Sequence, residues 1–313
     1  MITLASVIIC TCDRANSLRR TLATIGNLDL PSDLQCEVLV VDNGTGEETA
    51  SVVSECQLPH PMRLRYLREK RRGKSHALNL GMAEAAGDIL VFTDDDVLPP
   101  RDWLAKVCAP ILAGEADAVV GGVRLAPHLD RLWMNSCHRL WLAETVSMNV
   151  DKPTRMVGAN MAFSRSVLER VPAFDPELGP GALGYGEETL FSMQLRNAGY
   201  RIAGVFDAAV EHHFDRERLD RKSWTEMAKK MGHVDAYMAY HWEHSKWPRP
   251  WRSILMCTLR VLQYRLLHFR MLAKSAQTPE DLMNATRALH ARLQYVRERR
   301  RPRNYLKGGL VKL

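Results

Sequence analysis

Short apolar runs recur along the first two thirds of the chain, each closed by polar or turn-forming residues. ASVIIC (5–10), CEVLVV (36–41), RLRYL (63–67), DILVFT (88–93) and AVVGG (118–122) are too short for buried helices and predict strands. Between them the apolar spacing shifts to that of a helix. Leu18, Leu22 and Ile25 share one face behind a capping Asn16, SHALNLGMAEAA (75–86) is helical throughout, and Trp103, Leu104, Val107 and Ile111 form a third stripe. VGANMAF (157–163) and YRIAGV (200–205) predict two more strands, flanking a helix that opens at Glu187-Glu188 after the glycine-rich GPGALGYG (179–186). Strand alternating with helix predicts an α/β fold with a mainly parallel sheet covered by helices.

Beyond residue 214 the pattern is helical. Leu255, Leu259, Leu262, Leu266 and Phe269 keep a 4-3-4-3 spacing, and Thr278-Pro279-Glu280-Asp281 predicts a helix start, so two helices form a hairpin. The basic RERRRPRNYLKGG at the end reads as loose chain. Charge divides at the same place: residues 1–214 hold 21 Lys and Arg against 27 Asp and Glu, and residues 215–313 hold 22 against 9. These differences predict a catalytic-type domain over 1–214 and a basic helical extension over 215–313. Four basic residues interrupt 253–273, and each arginine would cost roughly 2.5–3.5 kcal/mol at a bilayer centre, so that segment is packed or interfacial and does not span. Trp242, Trp247 and Trp251 among cations suit an interface with anionic lipid; packing on the catalytic domain or on a second subunit of a homo-oligomer is the other reading of the extension. The acidic front and the lack of RRM, KH or zinc-finger patterns argue against nucleic acid.

Composition excludes disorder and disulfide scaffolds: 46% of the 313 residues are hydrophobic and 25% charged. The seven cysteines lie mostly in apolar runs with no CxxC pair, and the first residues lack a basic leader, which together predict reduced thiols and a cytoplasmic protein.

Ligands of parallel α/β sheets bind at the carboxyl ends of the strands. Thr11-Cys12-Asp13, Asp42-Asn43 and Asp94-Asp95-Asp96 each follow a predicted strand, so they should meet in one crevice. Three adjacent carboxylates repel unless a cation or donors neutralise them, and hard divalent ions take such oxygen ligands while keeping positions for phosphate. Glu187-Glu188 could serve a general base, although helix N-termini attract acids in any case. His212-His213 could complete a metal site, and Lys74, after Arg71-Arg72-Gly73, could meet phosphate or be a solvated turn.

In this order the segments SVIICTCDR, VLVVDNGTGEET, RRGKSHALNLGMAEAAGDILVFTDDDVLPPRDWL, GANMAFSRSVLERVPAFDPELG, GYGEETLFSMQLRNAGYRI and AVEHH resemble a family 2 glycosyltransferase of the GT-A fold, over residues 4–214. The resemblance implies an inverting, metal-dependent transferase. It would move a sugar from a nucleotide-diphosphate sugar, with a UDP-sugar favoured, to a hydroxyl of a glycan or glycolipid acceptor in bacterial-type surface polysaccharide assembly. Such an enzyme would be cytoplasmic or peripheral on the inner face of the cell membrane. A catalytically inactive sugar-nucleotide-binding scaffold is the alternative. By position, Thr11, Asp13 and Asp42 would contact the nucleoside, with Lys74, Asp94 and Asp95 nearest the donor. Asp96, Asp94 and His212 (or His213) would hold Mn2+ or Mg2+. Glu188 would be the base and Glu187 would hold the acceptor. Two departures stand out: Cys10-Thr11-Cys12-Asp13 replaces the usual Pro-Thr-Tyr-Asn, and Glu-Glu replaces Glu-Asp, adding a methylene to the base.

Overall fold

Two aliphatic runs buried on both faces, β1 (Thr3–Thr11) and β2 (Leu34–Asp42), pair in parallel through every residue of β1 in the computed structural model. The structure describes residues 3–145, 148, 149, 153, 155–274 and 277–313. The chain runs on through α1 (Ala15–Ile25), α2 (Glu48–Glu55), β3 (Arg63–Arg68), α3 (Lys74–Glu84), β4 (Ile89–Asp94), β5 (Val97–Leu98), α4 (Trp103–Leu112), β6 (Ala118–Leu125), α5 (Ser136–Trp141), β7 (Asn160–Ser164), α6 (Glu187–Asn197) and β8 (Ile202–His212). Then come α7 (Arg221–Tyr237), α8 (Pro250–Leu267), α9 (Phe269–Lys274) and α10 (Glu280–Glu298). The eight strands form one sheet in the order β3-β2-β1-β4-β7-β6-β8-β5. β7 runs antiparallel between β4 and β6, and β5 runs antiparallel to β8, so the sheet is mixed. Asn16 does not cap α1: Arg14 holds the cap position and makes no side-chain cap bond there.

The chain divides into two units. The first contains the residues up to Pro176 and Glu187–Phe214; the second contains Glu177–Gly186 and Asp215–Leu313. In the first, the β1, β2 and β4 residues bury against α1 and α4. Each fully buried Ile, Leu or Val there stabilises by roughly 1.5–3 kcal/mol. Trp103, fully buried, donates from Nε1 to Asn160 Oδ1 at 2.9 Å, and Asn160 Nδ2 donates to the Gly122 carbonyl at 2.8 Å. That buried amide ties α4, β6 and β7 together and leaves the indole donor satisfied.

In the second unit, α10 lies along both α7 and α8. Gly232 permits the α7–α10 approach, because a Cβ there would stand 2.3 Å from the Arg287 carbonyl oxygen. Arg287 then grips Asp235 with two hydrogen bonds of 2.6 Å. The last residues are packed, contrary to the loose chain predicted. Tyr305 is buried, Trp242 Nε1 donates to the Gly309 carbonyl, and Lys312 Nζ donates to Glu177 at 2.8 Å. Of the three interface tryptophans, Trp242 is buried, Trp247 is half-buried and stacks on Tyr295 at 4.5 Å, and Trp251 is exposed.

Two carboxylates hold this unit. Burial opposes the charge on Glu298, but His241, Gln294 and Arg301 donate to it and keep its pKa below the usual glutamate range. Glu177 is lowered in the same way, burial being outweighed by Lys312 and Arg301. A carboxyl with a depressed folded pKa contributes stability above its unfolded pKa, about 4.3 for Glu, and loses it as pH falls through the folded value. Helical circular dichroism followed during acid titration should therefore hold down to about pH 4.3 and fall below it. Glu298→Gln should lower the melting temperature at neutral pH and shrink its further fall below about pH 4.3, leaving the part that Glu177 contributes.

A carboxylate crevice at the strand ends

The register of the central strands sets the site. Thr11 pairs with Asp42 across β1 and β2, and Cys10 pairs with Asp94 across β1 and β4, so three polar strand ends lie side by side. β5 follows Asp96 at once and pairs Val97 with His212 of β8. The His213 amide donates to the Asp96 carbonyl at 2.7 Å, fixing the end of β8 against the acid cluster. As a result one ligand atom each of Asp94, Asp96 and His212 lies within 4.8 Å of the others, and Asp96 and His212 are buried. His212, and not His213, faces the acids: its Nε2 is 3.4 Å from Asp96 Oδ1, and its Nδ1 is 3.1 Å from the Leu142 carbonyl oxygen. That carbonyl accepts an Nδ1–H, so Nε2 is the nitrogen turned to the acids and the one that would give up its proton and supply a lone pair if a cation were bound there. His213 Nε2 turns to Glu211 at 3.0 Å.

Asp96 Oδ1 is buried and makes no hydrogen bond. Its other oxygen accepts from Arg14 at 2.9 Å. Burial opposes the Asp96 charge, yet His212 and Arg14 outweigh it and hold the carboxyl well below its usual range. Asp95 behaves oppositely: burial pushes it up to about 7, with Arg14 opposing and Asp96 reinforcing. It accepts from Thr11 Oγ1 at 2.6 Å and from Arg14 at 2.8 Å, so it braces the cluster from behind. Arg14 was missed in the sequence. Its only signal was its place directly behind the β1 end, 81 residues before its nearer partner.

Lys74, the first residue of α3, pairs with Asp94 Oδ1 at 2.5 Å. Burial works against its charge, but Asp94, Glu187 and Glu188 override it and raise its pKa. Gly158 closes over this group, since a Cβ there would lie 3.2 Å from Lys74 Nζ and 3.7 Å from Glu188 Oε1. Burial, then Glu188, raises the Glu187 pKa well above the usual range against the pull of Lys74. Glu187 Oε2 and Glu188 Oε2 are buried without hydrogen bonds. Lys74 thus bridges the Asp cluster and the Glu pair.

The turns after β1 and β2 complete this end of the sheet. Asp13 adopts φ +54°, a left-handed conformation that aspartate tolerates, and its Oδ1 accepts from the Thr45 and Gly46 amides. Those donors hold its carboxyl below the usual range. Asp42 is fully buried and accepts from Arg68 and Tyr66 at 2.8 and 2.9 Å. Asn43 is a second residue whose role the sequence did not reveal. Its Nδ2 donates to the carbonyls of Glu69 and Arg71, and its Oδ1 accepts from the Gly73 amide at 2.8 Å. Three bonds pin the loop that carries Lys74. Asn43→Ala should speed hydrogen exchange of amides 70–74 about tenfold or more and cost roughly 1–3 kcal/mol in urea unfolding.

Two carboxylates and an imidazole, one oxygen of them buried without a donor, are a donor set that suits a small divalent cation of the Mn2+ or Mg2+ kind. Burial pushes the Cys10 thiol up to about 12, which keeps it protonated beside that site.

Residues 6–171 match the family model described as glycosyl transferase family 2. The chain belongs to glycosyl transferase family 2. The match takes in Asp13, Asp42, Lys74 and Asp94–Asp96 and ends before Glu187 and His212. Among relatives of this family-2 chain, the probable glycosyltransferase YdaM of Bacillus subtilis is 27% identical over 231 residues, covering 71% of this chain and 52% of that protein. The succinoglycan biosynthesis protein ExoM of Rhizobium meliloti is 29% identical over 130 residues, or 41% of each. The chain thus spans about half or less of these two relatives. The mannosyltransferase PcManGT of Pyrobaculum calidifontis, solved in complex with GDP-Man and Mn2+, matches with a TM-score of 0.64 at 21% identity over 95% of this chain and 88% of that one. The fold is accordingly the GT-A fold.

Proposed function

We propose that this chain is a metal-dependent glycosyltransferase that inverts the anomeric centre while moving a sugar from a nucleoside-diphosphate sugar to an acceptor hydroxyl. One observation carries the reading: Asp94, Asp96 and His212, up to 118 residues apart, converge within 4.8 Å at the strand ends of a family-2 GT-A sheet. A divalent cation held by these three would supply positive charge to the diphosphate as it departs. Asp13 recognises the nucleoside, Asp42 acts from behind it through Arg68 and Tyr66, and Lys74 and Asp95 order the cluster around the diphosphate. Glu188 takes the proton of the acceptor hydroxyl. The freed oxygen bonds to the anomeric carbon as the bond from that carbon to the diphosphate breaks. The electron pair leaves with the nucleoside diphosphate. Glu187, whose pKa burial and its neighbour raise, positions the acceptor.

Support for a surface-glycan product comes from ExoM, a succinoglycan biosynthesis protein. The resemblance favours uridine, and the GDP-Man of the Pyrobaculum protein makes guanosine the second donor to test. Incubation of the protein with UDP- and GDP-sugars, Mn2+ and glycan or glycolipid acceptors should release nucleoside diphosphate, with an inverted anomeric signal in the product by NMR. EDTA should abolish release, and Mn2+ or Mg2+ should restore it. Donor binding without transfer to any acceptor would favour the inactive scaffold instead.

A further inference from the structure

The leucine stripe of α8 is not buried. Only Val261 of that helix is buried, and with Tyr264 it packs toward Leu282, Ala285 and Leu289 of α10. Leu255, Leu259, Leu262 and Leu266 are between 50% and 77% exposed, and Trp251 and Phe269 at the two ends are 69% and 68% exposed. At about 100° per residue those four leucines fall within roughly 60° of arc, on the side away from α10. Arg252 and Arg265 flank the stripe. Among the described residues, no helix is long and apolar enough to cross a membrane.

Charge along this stretch of sequence has one sign. Residues 244–279 contain Lys246, Arg249, Arg252, Arg260, Arg265, Arg270 and Lys274 and not one Asp or Glu. Beside the stripe, an open groove of about 390 Å³ is lined by Arg249, Arg252, Arg260 and Arg292 with Met256 and Cys257. Arg292 is held over the Trp247 ring at 4.0 Å. None of these four guanidiniums forms an ion pair with a carboxylate among the described residues, so their donors are available to phosphate oxygens.

We propose that this side of α8 and α9 is a docking surface for an anionic phospholipid bilayer, with the leucine stripe in the acyl boundary and the four-arginine groove on headgroup phosphates. Apolar side chains rimmed by cations are what such an interface takes up. Two copies of this chain meeting here would set these arginines against their own counterparts. A nucleic acid would use the arginines and leave the leucines wet. The inference goes beyond the transferase reading and is measured separately from it.

The test is flotation of the whole protein with vesicles of phosphatidylcholine, with and without phosphatidylglycerol. Binding should require phosphatidylglycerol and weaken at high salt. Leu259→Asp with Leu266→Asp, and Arg252→Glu with Arg260→Glu, should each lower the bound fraction roughly tenfold or more. Their melting temperatures should stay at the wild-type value, because all four side chains are exposed. With the unaltered protein, brominated lipid should quench the tryptophan fluorescence that Trp251→Phe removes. The proposal is overturned by any of three results: no flotation with anionic vesicles, flotation of both double variants at the wild-type level, or a solution dimer that the leucine variants dissociate while vesicles bind nothing.

Discussion

Asp96→Ala is expected to lower sugar transfer about a thousandfold or more, and to remove the rise in melting temperature that Mn2+ gives the wild-type protein. The size follows from charge. A cation at the leaving diphosphate supplies several kcal/mol of transition-state stabilisation, and each 1.36 kcal/mol is a factor of ten. Asp96 is the residue on which that charge depends most. Its Oδ1 is buried with no hydrogen-bond donor, its other oxygen is held by Arg14, and His212 stands 3.4 Å away. The fold should survive the change. Removing Asp96 takes one charge from a crowded cluster, leaves Arg14 its bond to Asp95, and brings the Asp95 pKa down from about 7, since Asp96 is one of the groups raising it. Melting temperature without metal should therefore change little, while the metal-dependent increment disappears. Transfer within a few-fold of wild type would remove Asp96 from the metal site.

Glu188→Gln is the second large effect, and it should fall on chemistry alone. General-base catalysis contributes about a hundredfold to ten-thousandfold, and the amide keeps the size of the side chain while losing its basicity. Transfer should fall within that range, with donor affinity and Mn2+ stabilisation unchanged. Glu187→Gln should behave differently. Its carboxyl is already held toward the protonated form by burial and by Glu188, so an amide that also donates should preserve more activity and raise the acceptor KM more than it lowers kcat. Should the order reverse, with Glu187→Gln the deader variant, the two roles exchange.

The strands were legible because burial on both faces leaves an uninterrupted apolar run: CEVLVV lies within β2 and DILVFT overlaps β4. Where a strand is only partly covered the signal fades. β8 shows as YRIAGV, yet it continues through Asp207 and Glu211 to His212. β5 is two residues long and has no pattern at all, although it brings His212 to Asp96. α2 was missed because it is eight residues of mixed polarity. The strand-end acids could be found because each ends a run that could be read. Arg14 could not, and Asn43 could be placed at a strand end but not given its role, because both depend on partners at Asp95, Asp96, Glu69, Arg71 and Gly73, which only the fold supplies. The leucine spacing of α8 correctly gave a helix, but periodicity says only that a face is apolar, not what covers it.

Calorimetric titration of UDP and of GDP into the wild-type protein tests the crevice most directly, once with Mn2+ and once with EDTA. One nucleotide should bind in Mn2+ with an affinity that falls at least about tenfold in EDTA, because the protein would then meet the diphosphate with its own side chains alone. Equal affinity with and without the cation, or no binding of either nucleotide in Mn2+, would contradict it.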